Sequence, residues 1–311
     1  MLKSIPNQKI NHPLLDKYEI ELYLKREDLI HPDISGNKFR KLKYNIAEAK
    51  KQNEHTLLTF GGAFSNHIAA TAAAGNKYNF KTIGIIRGDE LGLDINKTLA
   101  SNATLAFAIS KGMQLHFVSR SDYKLKETSL FIENLKNKLG HFYLVPEGGT
   151  NDLAIKGCQE ILTPKDDTFD VIACAVGTGG TLTGLINSAK AHQKIIGFPV
   201  LKENYLHEEV EKRTTAKNWK LNRNHHLGGY AKYNEDLILF MNSFFDNQKI
   251  LLDPIYTGKL LMGLFREIET NSFSKKTRIL AVHTGGLQGI AGINTKLKNK
   301  KNTLIKTHHE I

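Results

Sequence analysis

The sequence predicts an α/β protein with mostly parallel sheets. Two patterns support this prediction: from residue 55 onward, apolar runs of strand length alternate with longer amphipathic segments, and glycine-rich turns follow several of these runs. The composition is typical of a folded chain, with 41% hydrophobic and 24% charged residues. At roughly 150 residues per domain, the length of 311 residues favours two domains.

The apolar runs predict strands at 55–60, 81–87, 114–119, 141–145, 170–176, 194–200 and 278–283. A helix is expected from Lys38 to about Lys50, and helices are also expected at 68–74, 97–111 and 122–139, which have the length and composition of crossover helices. Residues 201–224 are polar and contain the single tryptophan, Trp219, so a surface helix and a long loop are expected there. Glycine-containing breaks fall at 145–152 and 227–236, and the first is the better domain boundary.

The charge balance is basic, with 43 lysines and arginines against 31 acidic residues and a net charge of +12. A basic surface attracts phosphate, so nucleic acid is a possible partner. However, the chain has 35 lysines and only 8 arginines, whereas recognition of bases and phosphates favours the arginine fork. The densest basic run, 296–301, is typical of a solvated helix end. No nucleic-acid partner is expected.

Cysteine content and hydropathy bear on the compartment. Cys158 and Cys174 are too few for a disulfide framework and lack metal-site spacing, which favours a reducing cytoplasm. No window approaches about 18 uninterrupted apolar residues, and polar residues interrupt the beginning of the chain. Neither a membrane span nor a signal peptide is expected.

The turn after the strand predicted at 170–176 has the features of a phosphate-binding loop. It reads Gly177, Thr178, Gly179, Gly180, Thr181. Glycines let the backbone approach an anion closely, the threonine hydroxyls add donors, and a helix N-terminus follows. It is neither a Walker loop nor a good dinucleotide fingerprint, because Leu182 stands where the fingerprint needs its last glycine. A small phosphorylated ligand is favoured, with a purely structural turn as the alternative.

Three other segments combine a turn with a predicted helix start or sheet edge. In 61–67, Ser65 and Asn66 are good N-caps, and free amides there could hold a carboxylate, although simple capping is the commoner role. Residues 283–286 present the hydroxyl of Thr284 at the sheet edge. Lys38 opens a helix, where the helix dipole disfavours protonation of its amine. Lys38 is therefore a candidate nucleophile, although most lysines are solvated surface groups.

Together these motifs resemble the pyridoxal-phosphate (PLP) enzymes of the tryptophan-synthase-β type, fold type II. Within them the chain is most similar to the D-cysteine desulfhydrase / 1-aminocyclopropane-1-carboxylate (ACC) deaminase family. The similarity runs through LYLKREDL (22–29), SGNKFRKL (35–42), GGAFSNH (61–67), VPEGGTN (145–151), GTGGTLTGL (177–185), LLDPIYTGK (251–259) and HTGG (283–286). It implies a two-domain, three-layer αβα fold, with a larger PLP-binding domain at 1–36 and 149–311 and a smaller α/β domain at 37–148. It also implies a homodimer.

The resemblance assigns the cofactor contacts to particular residues. Lys38 would bind PLP covalently and later act as the general base at the substrate Cα. Asn66 would hydrogen-bond the phenolic oxygen of PLP, and Thr284 would face its pyridine nitrogen. The phosphate would lie on the loop Gly177, Thr178, Gly179, Gly180, Thr181.

The substrate contacts follow from the same resemblance. Ser65, with the amides of Asn66 and His67, would bind the carboxylate of a small amino acid. Tyr256 and Tyr230 correspond to the active-site tyrosines of the family, close to the ring and the substrate.

The implied activity is that of a PLP-dependent lyase acting on D-cysteine to give pyruvate, sulfide and ammonia. In the ACC deaminases a glutamate that reaches the pyridine nitrogen follows the tyrosine of LLDPIYTGK, whereas Thr257 stands here. Because a hydroxyl such as that of Thr284 leaves this nitrogen largely neutral, the weaker electron sink suits β-elimination. ACC deamination to 2-oxobutyrate and ammonia is the alternative. Action on L-serine, L-cysteine or another amino acid, and a binding module without turnover, are further alternatives.

Overall fold

The structure is a computed structural model that describes residues 4–202 and 205–308. The strands are β1 (Asn7–Ile10), β2 (Glu21–Lys25), β3 (Thr56–Gly62), β4 (Lys81–Arg87), β5 (Met113–Val118), β6 (Tyr143–Val145), β7 (Val171–Val176), β8 (Lys194–Pro199), β9 (Trp219–Leu221) and β10 (Arg278–Val282). The α-helices are α1 (Pro13–Lys17), α2 (Asn37–Lys51), α3 (Asn66–Tyr78), α4 (Ile95–Ser101), α5 (Ala103–Ser110), α6 (Arg120–Tyr123), α7 (Ser129–Leu139), α8 (Asp152–Gln159), α9 (Gly180–Ser188), α10 (Leu206–Glu211), α11 (Glu235–Gln248), α12 (Thr257–Glu269) and α13 (Gly289–Asn299).

The described strands form two sheets. A six-stranded sheet has the order β1-β2-β10-β7-β8-β9, and a four-stranded sheet has the order β5-β4-β3-β6. The pairing of β1 with β2 is antiparallel, and every other pair is parallel. All six residues of β7 are buried, as expected for a parallel strand with helices on both faces of its sheet. The predicted α/β class with mostly parallel sheets is confirmed.

The carboxyl ends of three central strands carry the segments that the sequence analysis singled out. β3 ends at Gly62 and α3 begins at Asn66; β7 ends at Val176 and α9 begins at Gly180. Thr284 follows β10. Ligands of open parallel sheets bind beyond these strand ends, so the fold brings the predicted turns to the edges where a site is expected.

Three helices of the molecule pack with their backbones in close contact. A Cβ added to Gly157 of α8 would lie 2.0 Å from the carbonyl oxygen of Arg40 on α2. A Cβ added to Gly184 of α9 would lie 2.4 Å from Cβ of Cys158 on α8. Only glycine permits such approaches. α8 therefore packs between α2, which begins at Asn37 and Lys38, and α9, which follows the glycine-rich turn.

Several predicted elements differ from the observed ones. The single helix expected at 97–111 is two helices, α4 and α5, because Asn102 is extended and its side chain accepts a hydrogen bond from the amide of Leu105 at 3.0 Å. The helix expected at 122–139 is likewise divided into α6 and α7. Residues 201–224 contain, besides α10, the unpredicted strand β9, which pairs with β8; Glu203 and Asn204 of this segment lie outside the described residues.

Two other expectations concern the whole chain. No helix within the described ranges is long and apolar enough to cross a bilayer. The basic run at 296–301 lies at the end of α13, as expected. The division into 1–36 with 149–311 and 37–148 stays a prediction.

Candidate active site

A cavity lies between the carboxyl ends of β3, β7 and β10. It is lined by Asn37, Lys38, Lys41, Asn66, Gly148, Ala175, Val176, Gly177, Thr178, Gly179, Thr181, Leu182, Tyr256 and Thr284. Eight of the residues predicted from the sequence belong to this lining: Lys38, Asn66, Gly177, Thr178, Gly179, Thr181, Tyr256 and Thr284. The fold therefore brings together side chains that are up to 246 positions apart, from Lys38 to Thr284.

Two lysines on one face of α2 converge in the cavity. Nζ of Lys38 donates to the carbonyl oxygen of Gly148 at 3.1 Å, and Nζ of Lys41 donates to the same oxygen at 3.0 Å. Lys41 is only 2% exposed and also donates to the hydroxyl of Thr150 at 2.8 Å. Burial and the charge of Lys41 lower the pKa of Lys38 well below its usual value. Both amines thus lie in a buried region of positive potential.

The glycine-rich loop after β7 forms the opposite wall. Gly179 has φ +85° and caps α9, and a Cβ on Gly180 would lie 2.9 Å from the Thr150 side chain and 3.3 Å from Nζ of Lys41. Gly180 is buried behind the loop and does not line the cavity. The hydroxyl of Thr181 accepts a hydrogen bond from Nδ2 of Asn37 at 2.8 Å, which joins the start of α9 to the start of α2.

The turn before α3 supplies Asn66. Its Oδ1 accepts a hydrogen bond from Nε2 of Gln288 at 2.7 Å, so its Nδ2 is left to donate. Ser65 caps α3 by accepting from the amides of His67 at 3.2 Å and Ile68 at 3.4 Å. The His67 ring points into the protein, with Nε2 2.8 Å from Oγ1 of Thr59. Neither Ser65 nor His67 lines the cofactor cavity.

Thr284 is fixed against the start of α2. The carbonyl oxygen of Thr284 accepts from the amide of Asn37 at 3.3 Å. Gly36, between Ser35 and Asn37, has φ +63°, and a Cβ there would lie 1.9 Å from the same oxygen. His283 is fully buried, with Nε2 2.7 Å from the Leu251 carbonyl oxygen and Nδ1 accepting from Gly285 N at 3.2 Å. Because of the positive φ and the close Thr284 oxygen, only glycine fits at residue 36.

Tyr256 packs against the glycine-rich loop, with its Cε1 3.3 Å from where a Cβ on Gly177 would be. Burial, together with Tyr230 and Asp253, raises the pKa of Tyr256 well above its usual value. The ring of Tyr230 meets that of Tyr256 edge-on, with centroids 6.4 Å apart. Tyr230 is 40% exposed and lies outside the cavity lining.

Buried polar residues hold the two tyrosines in place. The carboxylate of Asp253 accepts from the amides of Ile255 at 3.0 Å, Tyr256 at 2.9 Å and Thr257 at 2.8 Å. It also accepts from the Thr257 hydroxyl at 2.7 Å. Nζ of Lys259 donates to the carbonyl oxygens of His226 at 2.9 Å and Gly229 at 2.8 Å, beside Tyr230.

Sequence reasoning missed Lys41, Gln288, Asp253 and Lys259. Lys41 had a detectable signal, because residues three positions apart lie on the same face of a helix and Lys38 was already a candidate. Asp253 and Lys259 lie within the motif LLDPIYTGK (251–259), but their contacts depend on spatial neighbours, and no local pattern identifies Gln288.

The residues of the cavity fit a phosphate-bearing carbonyl cofactor. The lining holds two lysine amines, the N-terminus of α9 and threonine hydroxyls, and it contains no aspartate or glutamate among the described residues. A buried region with uncompensated positive charge calls for an anionic ligand. Lys38 supplies an amine with a lowered pKa, suited to bond formation with an aldehyde.

Comparison with known proteins gives the same assignment. Residues 8–285 match the family of pyridoxal-phosphate dependent enzymes. A Thermotoga maritima protein named "Putative 1-aminocyclopropane-1-carboxylate deaminase" is 32% identical over 95% of this chain and 98% of its own. The mitochondrial bifunctional D-cysteine desulfhydrase/1-aminocyclopropane-1-carboxylate deaminase of Arabidopsis thaliana is 32% identical over 87% of this chain and 73% of its own.

A crystal structure of an ACC deaminase homologue superimposes with a TM-score of 0.78 and 25% identity, over 95% of this chain and 93% of the other. The predicted fold type is thereby confirmed, and PLP is the cofactor of the matching family. The family match over most of the chain and the cavity lined by two lysines and a glycine-rich loop lead to one conclusion: the protein is a member of the pyridoxal-phosphate dependent enzymes, with D-cysteine desulfhydrase and ACC deaminase relatives.

Proposed function

We propose that this protein eliminates the β-substituent of a small amino acid, with D-cysteine as the substrate and pyruvate, sulfide and ammonia as products. The absence of a carboxylate among the described residues that line the cavity carries this proposal. Thr284 lines the cavity, whereas the hydroxyl of Thr257 is bonded to Asp253. A carboxylate at the pyridine nitrogen would strengthen the electron sink, and β-elimination works with a weaker one.

The cofactor contacts proposed here follow the cavity wall. Lys38 would bind PLP covalently, with Lys41 and the loop 177–181 around its phosphate. Asn66, oriented by Gln288, would donate from Nδ2 to the phenolic oxygen, and Thr284 would face the pyridine nitrogen. PLP supplies an electron sink for the bond electrons of the substrate Cα. Ser65, with the amides that open α3, would bind the substrate carboxylate.

The lowered pKa of Lys38 gives this residue the role of base. Because burial and Lys41 disfavour the charged amine, a larger fraction of Lys38 is neutral near pH 7 and accepts the Cα proton at Nζ. The Cβ–S bond breaks with its electron pair on sulfur, which leaves as hydrosulfide, and water then releases pyruvate and ammonia. Tyr256 keeps its phenolic proton at neutral pH, because its pKa is raised.

ACC deamination is the second candidate, favoured by the names of the relatives. The Thermotoga maritima protein, which this chain matches over nearly its whole length, is named a putative ACC deaminase. The name of the Arabidopsis thaliana protein contains both activities. Opening of a cyclopropane ring is not assisted by a β leaving group and therefore needs a stronger electron sink. Because no carboxylate lines the cavity among the described residues, we rank ACC deamination below β-elimination.

We also propose that the protein is a cytoplasmic homodimer with the two domains given above. Cys158 and Cys174 are buried free thiols, which suits a reducing compartment, and the family resemblance supports the dimer. Light scattering after size-exclusion chromatography tests the oligomeric state: a mass of one chain would contradict it.

An absorbance and turnover experiment tests the proposed activity. The purified protein saturated with PLP should show the absorbance of lysine-bound cofactor and should release sulfide and pyruvate from D-cysteine. Lys38→Ala should abolish both signals, whereas Lys51→Ala, an exposed lysine on the same helix, should change neither. Turnover of ACC or of L-cysteine without turnover of D-cysteine would move the substrate assignment. An unchanged covalent band in Lys38→Ala would overturn the role of Lys38.

A further inference from the structure

A second cavity, of about 700 Å³, lies at the carboxyl ends of β3 and β4. Its wall includes residues 62–64 and Glu147. Asn66, two residues after the stretch 62–64, lines the cofactor cavity. Gly148, the residue after Glu147, also lines it. No described residue lines both cavities, but these two stretches of chain pass from the wall of one cavity to the wall of the other. A substrate whose carboxylate lies at the start of α3 has room to extend its side chain into the second cavity.

Arg87 lines the second cavity beside the stretch 62–64. It is the last residue of β4, in register with Gly62 at the end of β3. Its Nη2 lies 3.7 Å from where a Cβ on Gly62 would be, and its guanidinium lies over the ring of Tyr123, 5.7 Å from the centroid. The side chain is exposed to the cavity and has no carboxylate within 4.0 Å among the described residues. The guanidinium is thus oriented by a ring and left without an anion.

The other charges around the second cavity are largely paired. Arg120 forms an ion pair with Glu90, and Nζ of Lys126 lies 3.3 Å from the carboxylate of Glu147. Within each of these two ion pairs the charges neutralise each other, so the remaining charged residues of the lining, Arg87 and Lys124, give the cavity a net positive charge. A positive concave surface concentrates anions.

The charge of Arg87 also reaches the large-sheet side of the site. Partial burial raises the pKa of Tyr230, which is 40% exposed, and the charge of Arg87 opposes that shift. Tyr230 in turn meets Tyr256 edge-on at the cofactor cavity. The charge of Arg87 therefore influences Tyr230, although Arg87 lies on the four-stranded sheet.

We propose that Arg87 binds an anionic β-substituent of the substrate, so that the enzyme prefers amino acids with a second negative charge beyond Cβ, such as a phosphate. This inference rests on the proposed β-elimination. The planar guanidinium can hold two oxygens of a phosphate or sulfonate at once, which suits it to such a group. With O-phospho-D-serine, Lys38 takes the Cα proton, the Cβ–O bond breaks with its electron pair on the departing phosphate, and water releases pyruvate and ammonia.

Substrate comparison with an Arg87→Gln variant tests the proposal. The wild-type enzyme should process O-phospho-D-serine with a higher kcat/KM than D-cysteine or β-chloro-D-alanine, which lack a second charge at pH 7. In Arg87→Gln, kcat/KM for O-phospho-D-serine should fall about tenfold or more, mainly through KM, and the other two substrates should change less than about threefold. Arg120→Gln, in the same cavity but paired with Glu90, should keep the preference.

A binding measurement separates this inference from the proposed activity. Calorimetry should show that D-2-amino-3-phosphonopropionate, a stable anionic analogue, binds the wild-type holoenzyme more tightly than D-alanine, and that Arg87→Gln removes the difference. If D-cysteine is not turned over but this preference is found, the proposed activity fails and the role of Arg87 stands. An equal loss for all ligands in Arg87→Gln, or no anionic preference in the wild type, overturns the role of Arg87.

Discussion

Replacing Asp253 by alanine should destabilise the protein far more than removal of an ordinary helix cap. The Asp253 side chain is 2% exposed and accepts four hydrogen bonds, from the amides of Ile255, Tyr256 and Thr257 and from the Thr257 hydroxyl. Alanine removes every one of these acceptors at once. The three amides belong to the turn that leads into α12, where no helical carbonyl can replace the carboxylate.

The size of the effect follows from these contacts. A buried donor left without a partner costs about 1–3 kcal/mol, and water entering the vacated space satisfies some of the donors. The free energy of unfolding should therefore fall by about 3–5 kcal/mol. Asn234→Ala is the matched control, because Asn234 is an exposed cap of α11 that accepts one hydrogen bond, from the amide of Leu237 at 3.1 Å, and donates a long one to the exposed Asp236 carboxylate at 3.4 Å. Its loss should be about 1 kcal/mol.

Urea unfolding of the apoprotein, followed by far-ultraviolet circular dichroism, measures both variants on the same scale. Asp253→Asn provides a third point, since it keeps one acceptor oxygen and should lose about half as much as Asp253→Ala. The midpoints should decrease in the order wild type, Asn234→Ala, Asp253→Asn, Asp253→Ala. If Asp253→Ala is no less stable than Asn234→Ala, the four hydrogen bonds do not stabilise this turn as argued.

Two further predictions concern buried lysines. Lys41→Gln should weaken PLP binding about 10- to 100-fold, because a hydrogen bond to a charged group contributes about 1.5–3 kcal/mol. Titration of the apoprotein with PLP measures the affinity, and Lys43→Gln, at an exposed lysine of the same helix, is the control. Equal PLP affinities of Lys41→Gln and the wild type would exclude a contact between Lys41 and the phosphate. Burial lowers the pKa of Lys259 to about 8, whereas an unfolded lysine titrates at about 10.4. The buried charge therefore costs stability below pH 8, and the cost is relieved as pH rises from about 8 to about 10.4, by at most about 3 kcal/mol. Lys259→Met apoprotein should lack this rise in unfolding free energy between about pH 7.5 and 9.5; parallel pH profiles would contradict it.

The predictability of the elements depended on how much of each was fixed locally. The bounds predicted for β4 agree with the observed Lys81–Arg87, because an apolar run buried on both faces is flanked by charges. β1 and β9 are short, lie at the two edges of their sheet and are only half-buried, so they carry no hydrophobic run. Their pairing depends on neighbouring strands. β2 lies inside the sheet and was missed for a different reason: its buried leucines alternate with Glu21, Tyr23 and Lys25, so it has no continuous aliphatic run.

One part of the predicted site consists of positions where the backbone favours glycine. The glycines of the loop 177–181 belong to this class, with Gly179 at φ +85°. Lys38 could be singled out from 35 lysines only by its motif and by family resemblance. Gln288 and Lys41 act through Asn66 and Thr150, 222 and 109 positions away along the chain. Such pairings are set by the tertiary fold, and no local pattern encodes them.

The backbone contact between α2 and α8 restricts how this enzyme can move. With Gly157 against the Arg40 carbonyl, α2 has no side-chain layer through which to slide on α8. Toward β3, by contrast, α2 packs through the side chains of Leu42 and Ile46, a layer that tolerates small shear movements. An opening and closing motion of the four-stranded sheet should therefore hinge after α2, near residues 52–55, so that α2, which the proposed boundary counts in the smaller domain, moves with α8 of the larger one. Lys38 would then remain fixed on the glycine-rich loop while Arg87 and the start of α3 move toward it.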